Sequence, residues 1–329
     1  MKVDDSGEFL NLFKFLSMVE NEKPWPEPAP DWPSARKTWK LAWPFHIYLF
    51  TALNVLVVIR GTYDLVKRGK THLRRKDHRF LMNLLLILFG FSRTMYLLWN
   101  PYESDPDIAK TVLVICIVTF GIGTACIVSA FSFVLLIVLE STRISLAPSK
   151  FQNRGFLLGL SIVNVLYVIV SDLIVANFHE AKAMIIVCQV SFAAWGFLIA
   201  IGFITAAARL WRNLKASRQT SQYDPVLAAE SKKVRRLVSL LYSSSFCGVL
   251  TFSTIVYSAF GATGVNNESG LVRSWPWIAV KTLMRTLEVL MCLLIYLVAL
   301  KTRTSKPTKN NQISNDSTLE RVNCSTQTF

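Results

Sequence analysis

Seven apolar runs, separated by connections that alternate between strongly basic and nearly charge-free, leave this chain few folds to adopt. The runs cover residues 41–66, 80–100, 112–139, 156–178, 183–208, 237–261 and 275–299. Each reaches the ~20 residues that a bilayer-spanning helix needs. In lipid, a segment of this kind must satisfy its own backbone, and a helix does so. The expected fold class is an all-α integral membrane bundle of seven transmembrane helices.

The alternation of charge sets the expected orientation. Arg60, Lys67, Arg68, Lys70, Arg74, Arg75, Lys76 and Arg79 crowd one connection, and Arg209, Arg212, Lys215, Arg218, Lys232, Lys233, Arg235 and Arg236 another. Arg143, Lys150 and Arg154 lie on the same side, whereas the opposite connections hold only Lys110, Lys182 and Arg273. Because cytoplasmic loops are enriched in Lys and Arg, the amino terminus is expected outside and the carboxyl terminus inside. Residues 1–40 then form an extracellular or lumenal Pro-rich tail, 41–300 the seven-helix domain and 301–329 a disordered cytoplasmic tail. The formal charge of +15 is accounted for by this topology, with attraction to anionic inner-leaflet lipids the functional alternative, and calls for no nucleic-acid partner.

The tails carry little further signal. The stretch PWPEPAPDWP (Pro24 to Pro33) reads as extended, polyproline-II-like and solvated, and Phe9 to Val19 as an interfacial or nascent helix. No cleavable signal is recognisable, so either the first span acts as a reverse anchor or a longer region precedes it. Five cysteines (Cys116, Cys126, Cys188, Cys247 and Cys292) lie within apolar runs and Cys324 in the tail, which provides no outer disulfide. Asn267-Glu268-Ser269 is a glycosylation sequon in the last outer loop. Small residues at Gly121, Ala125 and Ser129, and at Gly155 and Gly159, offer seams for close helix approach, with dimerisation a lesser alternative.

Ionisable residues within the spans are the strongest functional signal, since they are costly in lipid and face a bundle interior or an aqueous cavity. They are Arg93, Asp172, Lys281, Arg285 and Glu288. Spacings of four and three residues place Lys281, Arg285 and Glu288 on one helical face, with Trp277 a turn above. The structural expectation pairs Arg285 with Glu288, and Arg93 with Asp172 or Glu288, leaving Lys281 to snorkel outward. The functional expectation counts three cations against two carboxylates in an outer-half cavity lined by Tyr96, Trp99, Trp275 and Trp277. Such a cavity suits a small anionic or amphipathic ligand. A retinal Schiff base at Lys281 is disfavoured by Arg285 one turn away. A three-histidine zinc site is disfavoured by the dispersal of His46, His72, His78 and His179. No phosphate loop, nucleophile elbow or metal-ligand spacing is present, so the expectation is a chain without catalysis, cofactor or metal.

Three segments carry a resemblance: AWPFHIY (Ala42 to Tyr48), GFSRTMYLLWNPY (Gly90 to Tyr102) and SWPWIAVKTLMRTLEVLM (Ser274 to Met291). Together they resemble the heptahelical domain of the proline-rich transmembrane protein 3/4 family, over roughly residues 35–300. The resemblance implies a multi-pass membrane protein with a proline-rich outer region and no settled activity. This chain departs from the pattern in its short proline stretch and in Asn100, which stands where an acidic residue is expected before Pro-Tyr. Likeness to G-protein-coupled receptors rests on span number and orientation alone, without an Asp-Arg-Tyr latch or an Asn-Pro-x-x-Tyr motif.

The reading that follows is a non-catalytic membrane protein of receptor-like topology, an orphan receptor or scaffold, in the plasma membrane or an endomembrane. A transporter or channel using the intramembrane charges as its pathway is the alternative. Expected partners are the bilayer, an unidentified ligand and a cytoplasmic protein meeting the basic loops.

Overall fold

A computed structural model describes residues 29–72, 78–104, 110–142, 154–178, 181–220, 225–261 and 272–303. They form eight α-helices, one 3-10 turn and, among the described residues, no β-strand. Helix α1 is Trp32–Trp39, α2 Ala42–His72, α3 His78–Trp99, α4 Lys110–Thr142, α5 Arg154–Asn177, α6 Lys182–Thr220, α7 Pro225–Phe260 and α8 Ser274–Arg303. All but α1 are long and apolar enough to cross a membrane. The spans begin and end within a few residues of the apolar runs at most boundaries. The exceptions are α6 and α7, whose helices continue through the basic segments at 209–216 and 231–236.

Helices consecutive in sequence pack side by side, with α4 at the centre against α3, α5, α6 and α8. Burial follows from this placement: 83% of the apolar window of α4 is enclosed, against 17% for the peripheral α5. A helix hydrophobic on all sides belongs either in a core or in lipid, and these two illustrate both cases. The half of the bundle where α4 ends is filled by apolar side chains. Phe131 and Phe203 meet there with ring centroids 4.6 Å apart, among buried Leu241, Met291 and Ile295.

The opposite half is capped by a feature the sequence reading placed in a solvated tail. Pro33 sits in the first turn of α1, where a missing N–H costs nothing, so the end of the expected extended stretch instead starts a helix. That helix lies across the bundle, with Ala35 and Trp39 buried. Arg36 Nη2 donates to the carbonyl and the hydroxyl of Ser104, at 2.9 and 3.0 Å. The Val272 amide donates to the Ala29 carbonyl at 3.3 Å. Trp39 stacks between Trp43 and Trp277, at 5.3 and 5.8 Å between centroids, and Trp32 closes the group edge-on to Trp277 at 5.4 Å. Residues 32–39 are thus part of the folded domain. The rest of the amino-terminal tail before residue 29, the sequon at Asn267 and the carboxyl-terminal tail after residue 303 lie outside the described residues.

The two small-residue seams behave differently. Gly121 faces α5 so closely that a Cβ there would collide with Val168 and Asp172, and Ala125 and Ser129 continue that buried seam. A Cβ at Gly159 would meet nothing, and Gly155 and Gly159 are exposed on the outer face of α5. Gly121→Val should therefore destabilise the bundle by about 1–3 kcal/mol, as overpacking does, while Gly159→Val should leave thermal stability in detergent unchanged. Equal melting temperatures for the two variants would contradict this packing.

Candidate functional site

A buried charge network joins α3 and α8, and its geometry is set by helical periodicity. Glu288 lies three residues after Arg285, so both side chains project from one face of α8 toward α3 and α4. Arg93 projects from α3 at the same level and is 0% exposed. Each of its three nitrogens is engaged. Nε donates to both Glu288 oxygens, at 3.2 and 3.3 Å. Nη2 donates to Glu288 Oε1 and Thr124 Oγ1, both at 2.8 Å, and Nη1 to the Phe120 carbonyl at 2.6 Å. Its guanidinium also lies 3.9 Å from the Phe120 ring centroid. Gly123 makes room for this head group, since a Cβ there would press on Ser92 and Arg93.

Glu288 is shared, because its Oε2 also accepts from Arg285 Nη1 at 2.5 Å. Arg285 Nε donates to the Tyr102 hydroxyl at 3.1 Å, and Tyr102 lies 2.9 Å from His46 Nε2. His46 Nδ1 is in turn 2.9 Å from Thr282 Oγ1. The chain is satisfied throughout when Tyr102 accepts from Arg285 and donates to Nε2, leaving the Nδ1 proton for Thr282. Tyr102 holds this post with a left-handed backbone, φ 57° and ψ 32°, which is uncommon for a bulky residue. Such conformations persist where surrounding contacts over-determine them. A line of polar contacts therefore runs from the α1 cap side, through His46 and Tyr102, to the mid-membrane pair.

Beside the network is a cavity of about 130 Å³. At ~1.5 Å per residue, Arg285 and Glu288 lie roughly 15 and 20 Å along α8 from Ser274, so the space is at membrane depth. Lys281, Arg285 and Glu288 line it from α8, Asp172 from α5, Gln189 from α6 and Thr251, Thr254 and Ser258 from α7. Apolar walls come from Ile117, Val168, Ile185, Phe192, Ile255 and Met284. Arg285 differs from Arg93 in one respect that matters here. It is only 1% exposed, yet its Nη2 has no hydrogen-bond partner among the described residues. Arg285 is also one of the residues that line the open space.

The structure thus brings together all five intramembrane charges named from the sequence, but not all the aromatic residues. Arg93 pairs with Glu288, while Asp172 stands on the α5 wall of the cavity. Lys281, expected to snorkel outward, lines the cavity with Nζ 5.6 and 5.9 Å from the ring centroids of Trp277, one turn nearer the start of α8, and Tyr102. Tyr96 lines the cavity. Trp277 is buried in the tryptophan group above it. Trp99 and Trp275, expected in the lining, are 51% and 56% exposed on the outside of the bundle, where indole rings favour the membrane interface. Tyr102 and Phe120 take the places in the wall that those two were expected to fill. Tyr102, Phe120, Thr124 and His46 were not singled out as site residues by the sequence reading. For His46 a signal existed, since an imidazole four residues into an apolar span is itself a costly group. At the other end of the bundle Glu140 lies 3.3 Å from His78 Nδ1.

No curated protein matches the chain. A family model, the proline-rich transmembrane protein 3 domain, matches residues 17–324, which takes in every helix described above. That match runs beyond the seven spans and the α1 cap at both ends, and by it the chain belongs to the proline-rich transmembrane protein 3 family.

Proposed function

We propose that this chain is a non-catalytic receptor-like membrane protein, with its amino terminus outside, that binds a small ligand in the cavity walled by α4, α5, α6, α7 and α8. The observation that carries the proposal is the unpartnered Nη2 edge of a buried arginine in a partly apolar cavity. Ionisable side chains within membrane spans are costly and mark functional positions by default. The other half of the bundle supports a receptor over a transporter, because Phe131, Phe203, Leu241 and Met291 fill the space a pathway requires.

Helices α6 and α7 supply a route to a cytoplasmic partner. Helix α6 has 39 residues, about 58 Å at ~1.5 Å per residue, against a hydrocarbon core of about 30 Å. Its extension carries exposed Arg209, Arg212 and Lys215 beside exposed Lys232, Lys233, Arg235 and Arg236 of α7. This basic hairpin suits contact with anionic lipid and with a protein at the inner surface. The orientation is tested by epitope tags in cells: an amino-terminal tag should stain without permeabilisation and a carboxyl-terminal tag only after it. The reverse pattern contradicts the placement.

Ligand binding is tested on purified protein in nanodiscs, by melting in the presence of small anions, small amines and neutral amphiphiles. At least one class should raise the melting temperature of the wild type, because a ligand specific to the folded state stabilises it by mass action. Ser258→Trp, which fills the cavity from α7, should abolish that shift while melting cooperatively. If no class shifts the wild type, the cavity is a packing feature and the reading fails.

A further inference from the structure

Resting on the ligand-cavity reading above, we infer that the occupant is a short monocarboxylate of about four carbons, its carboxylate on Arg285 Nη2 and its chain along the apolar wall. Three observations converge on that class.

The first is the division of labour between the two arginines. Arg93 has all three nitrogens engaged and neutralises Glu288 at close range. Glu288 is saturated by donors from both arginines. Arg285 brings a second positive charge to the same carboxylate and keeps Nη2 free among the described residues. The pair of arginines around one carboxylate is left with an excess of one positive charge beside an available donor edge. Guanidinium edges recognise carboxylates through charge-assisted hydrogen bonds. An amine beside Arg285 meets repulsion, and the Glu288 carboxylate is already taken, which leaves Asp172 as the other carboxylate on the cavity wall.

The second observation is the surroundings of that edge. Ile117, Val168, Ile185, Phe192, Ile255 and Met284 share the cavity with it, so a ligand there has an apolar body. This argues against chloride or inorganic phosphate, which present no such surface and, for phosphate, ask for more donors than one edge provides. The third is size. The cavity measures about 130 Å³, and an apolar cavity of about 150 Å³ takes benzene, a molecule of about six heavy atoms. An acid of about four carbons has the same number of heavy atoms. With so few atoms, affinity is no tighter than roughly 0.3 μM.

Asp172 on the α5 wall and Lys281 on α8 also face this space, so the test includes a zwitterion of matched length. Wild-type protein in nanodiscs is melted with acetate, propionate, butyrate, valerate, hexanoate and octanoate, each as the sodium salt, and with butylamine, γ-aminobutyrate, sodium chloride and sodium phosphate. Stabilisation should rise to a maximum near butyrate and fall for the longer acids, with none from butylamine, chloride or phosphate. Arg285→Gln should lose the response. Should that variant fail to fold, Ile255→Phe, which shortens the cavity without touching a charge, should move the optimum to a shorter acid.

A shift from amines or neutral compounds but not from carboxylates overturns this inference and leaves the ligand-cavity reading standing. A larger shift from γ-aminobutyrate than from butyrate also overturns it, in favour of a zwitterion held between Arg285 and Asp172. If no compound of any class acts on the wild type, both fall together. A response to carboxylates that Ile255→Phe leaves at the same chain length overturns the placement of the chain in the cavity.

Discussion

One carboxylate holds two guanidinium groups near the middle of this bundle, and much of the architecture serves that arrangement. Glu288 accepts from Arg93 of α3 and from Arg285 of its own helix. In a medium that cannot solvate ions, each of these charges is tolerable only because the others are present. The consequences spread outward. Phe120 gives its carbonyl and its ring face to Arg93, Thr124 its hydroxyl, and Gly123 the space for the head group. Helix α4 is therefore central for two reasons: its apolar surface is buried on nearly all sides, and three residues within one turn or so of it complete the ion network.

The same arrangement explains why the cap is folded. Tyr102 must reach Arg285 Nε from the turn that follows α3, and it does so in a left-handed conformation. Around it stand His46, Trp43 and Trp277, with Trp39 of α1 stacked on the last two. Arg36 then ties α1 to Ser104, two residues beyond Tyr102. The cap, the turn and the mid-membrane pair form one continuous set of contacts, so a change at Arg285 has a physical route to the surface of the domain.

Much of this was legible in the sequence, and the reasons are specific. Span number and limits follow from apolar length, which lipid enforces strictly. The side-by-side placement of Arg285 and Glu288 follows from their spacing of three. Choosing Glu288 over Asp172 as the partner of Arg93 required knowing that α3 and α8 both pack on α4 while α5 stands behind it, and periodicity carries no such information. Trp99 and Trp275 were placed inside because of what they are, yet their helical faces point outward. The α1 helix was hidden by its prolines: Pro33 reads as a breaker unless the first turn of a helix is recognised as the place where proline fits. Lys281 is the cation left over from the expected pairs, and the aromatic faces of Trp277 and Tyr102 that it meets depend on how the helices and the turn pack, which spacing does not carry.

The Arg93–Glu288 pair is thus the structural half of the network, and Arg285 the half with capacity to spare. This division is tested most directly by a double-mutant cycle on thermal stability in nanodiscs, using Arg93→Gln, Glu288→Gln, their combination and Arg285→Gln. Glu288→Gln, which leaves two buried guanidinium groups without their carboxylate, should lose on the order of 3–5 kcal/mol, and Arg93→Gln should lose less, because Glu288 keeps Arg285. The double variant should be no worse than the poorer single, and Arg285→Gln should show the smallest loss. Additive losses, or an Arg285→Gln variant less stable than Arg93→Gln, would contradict it.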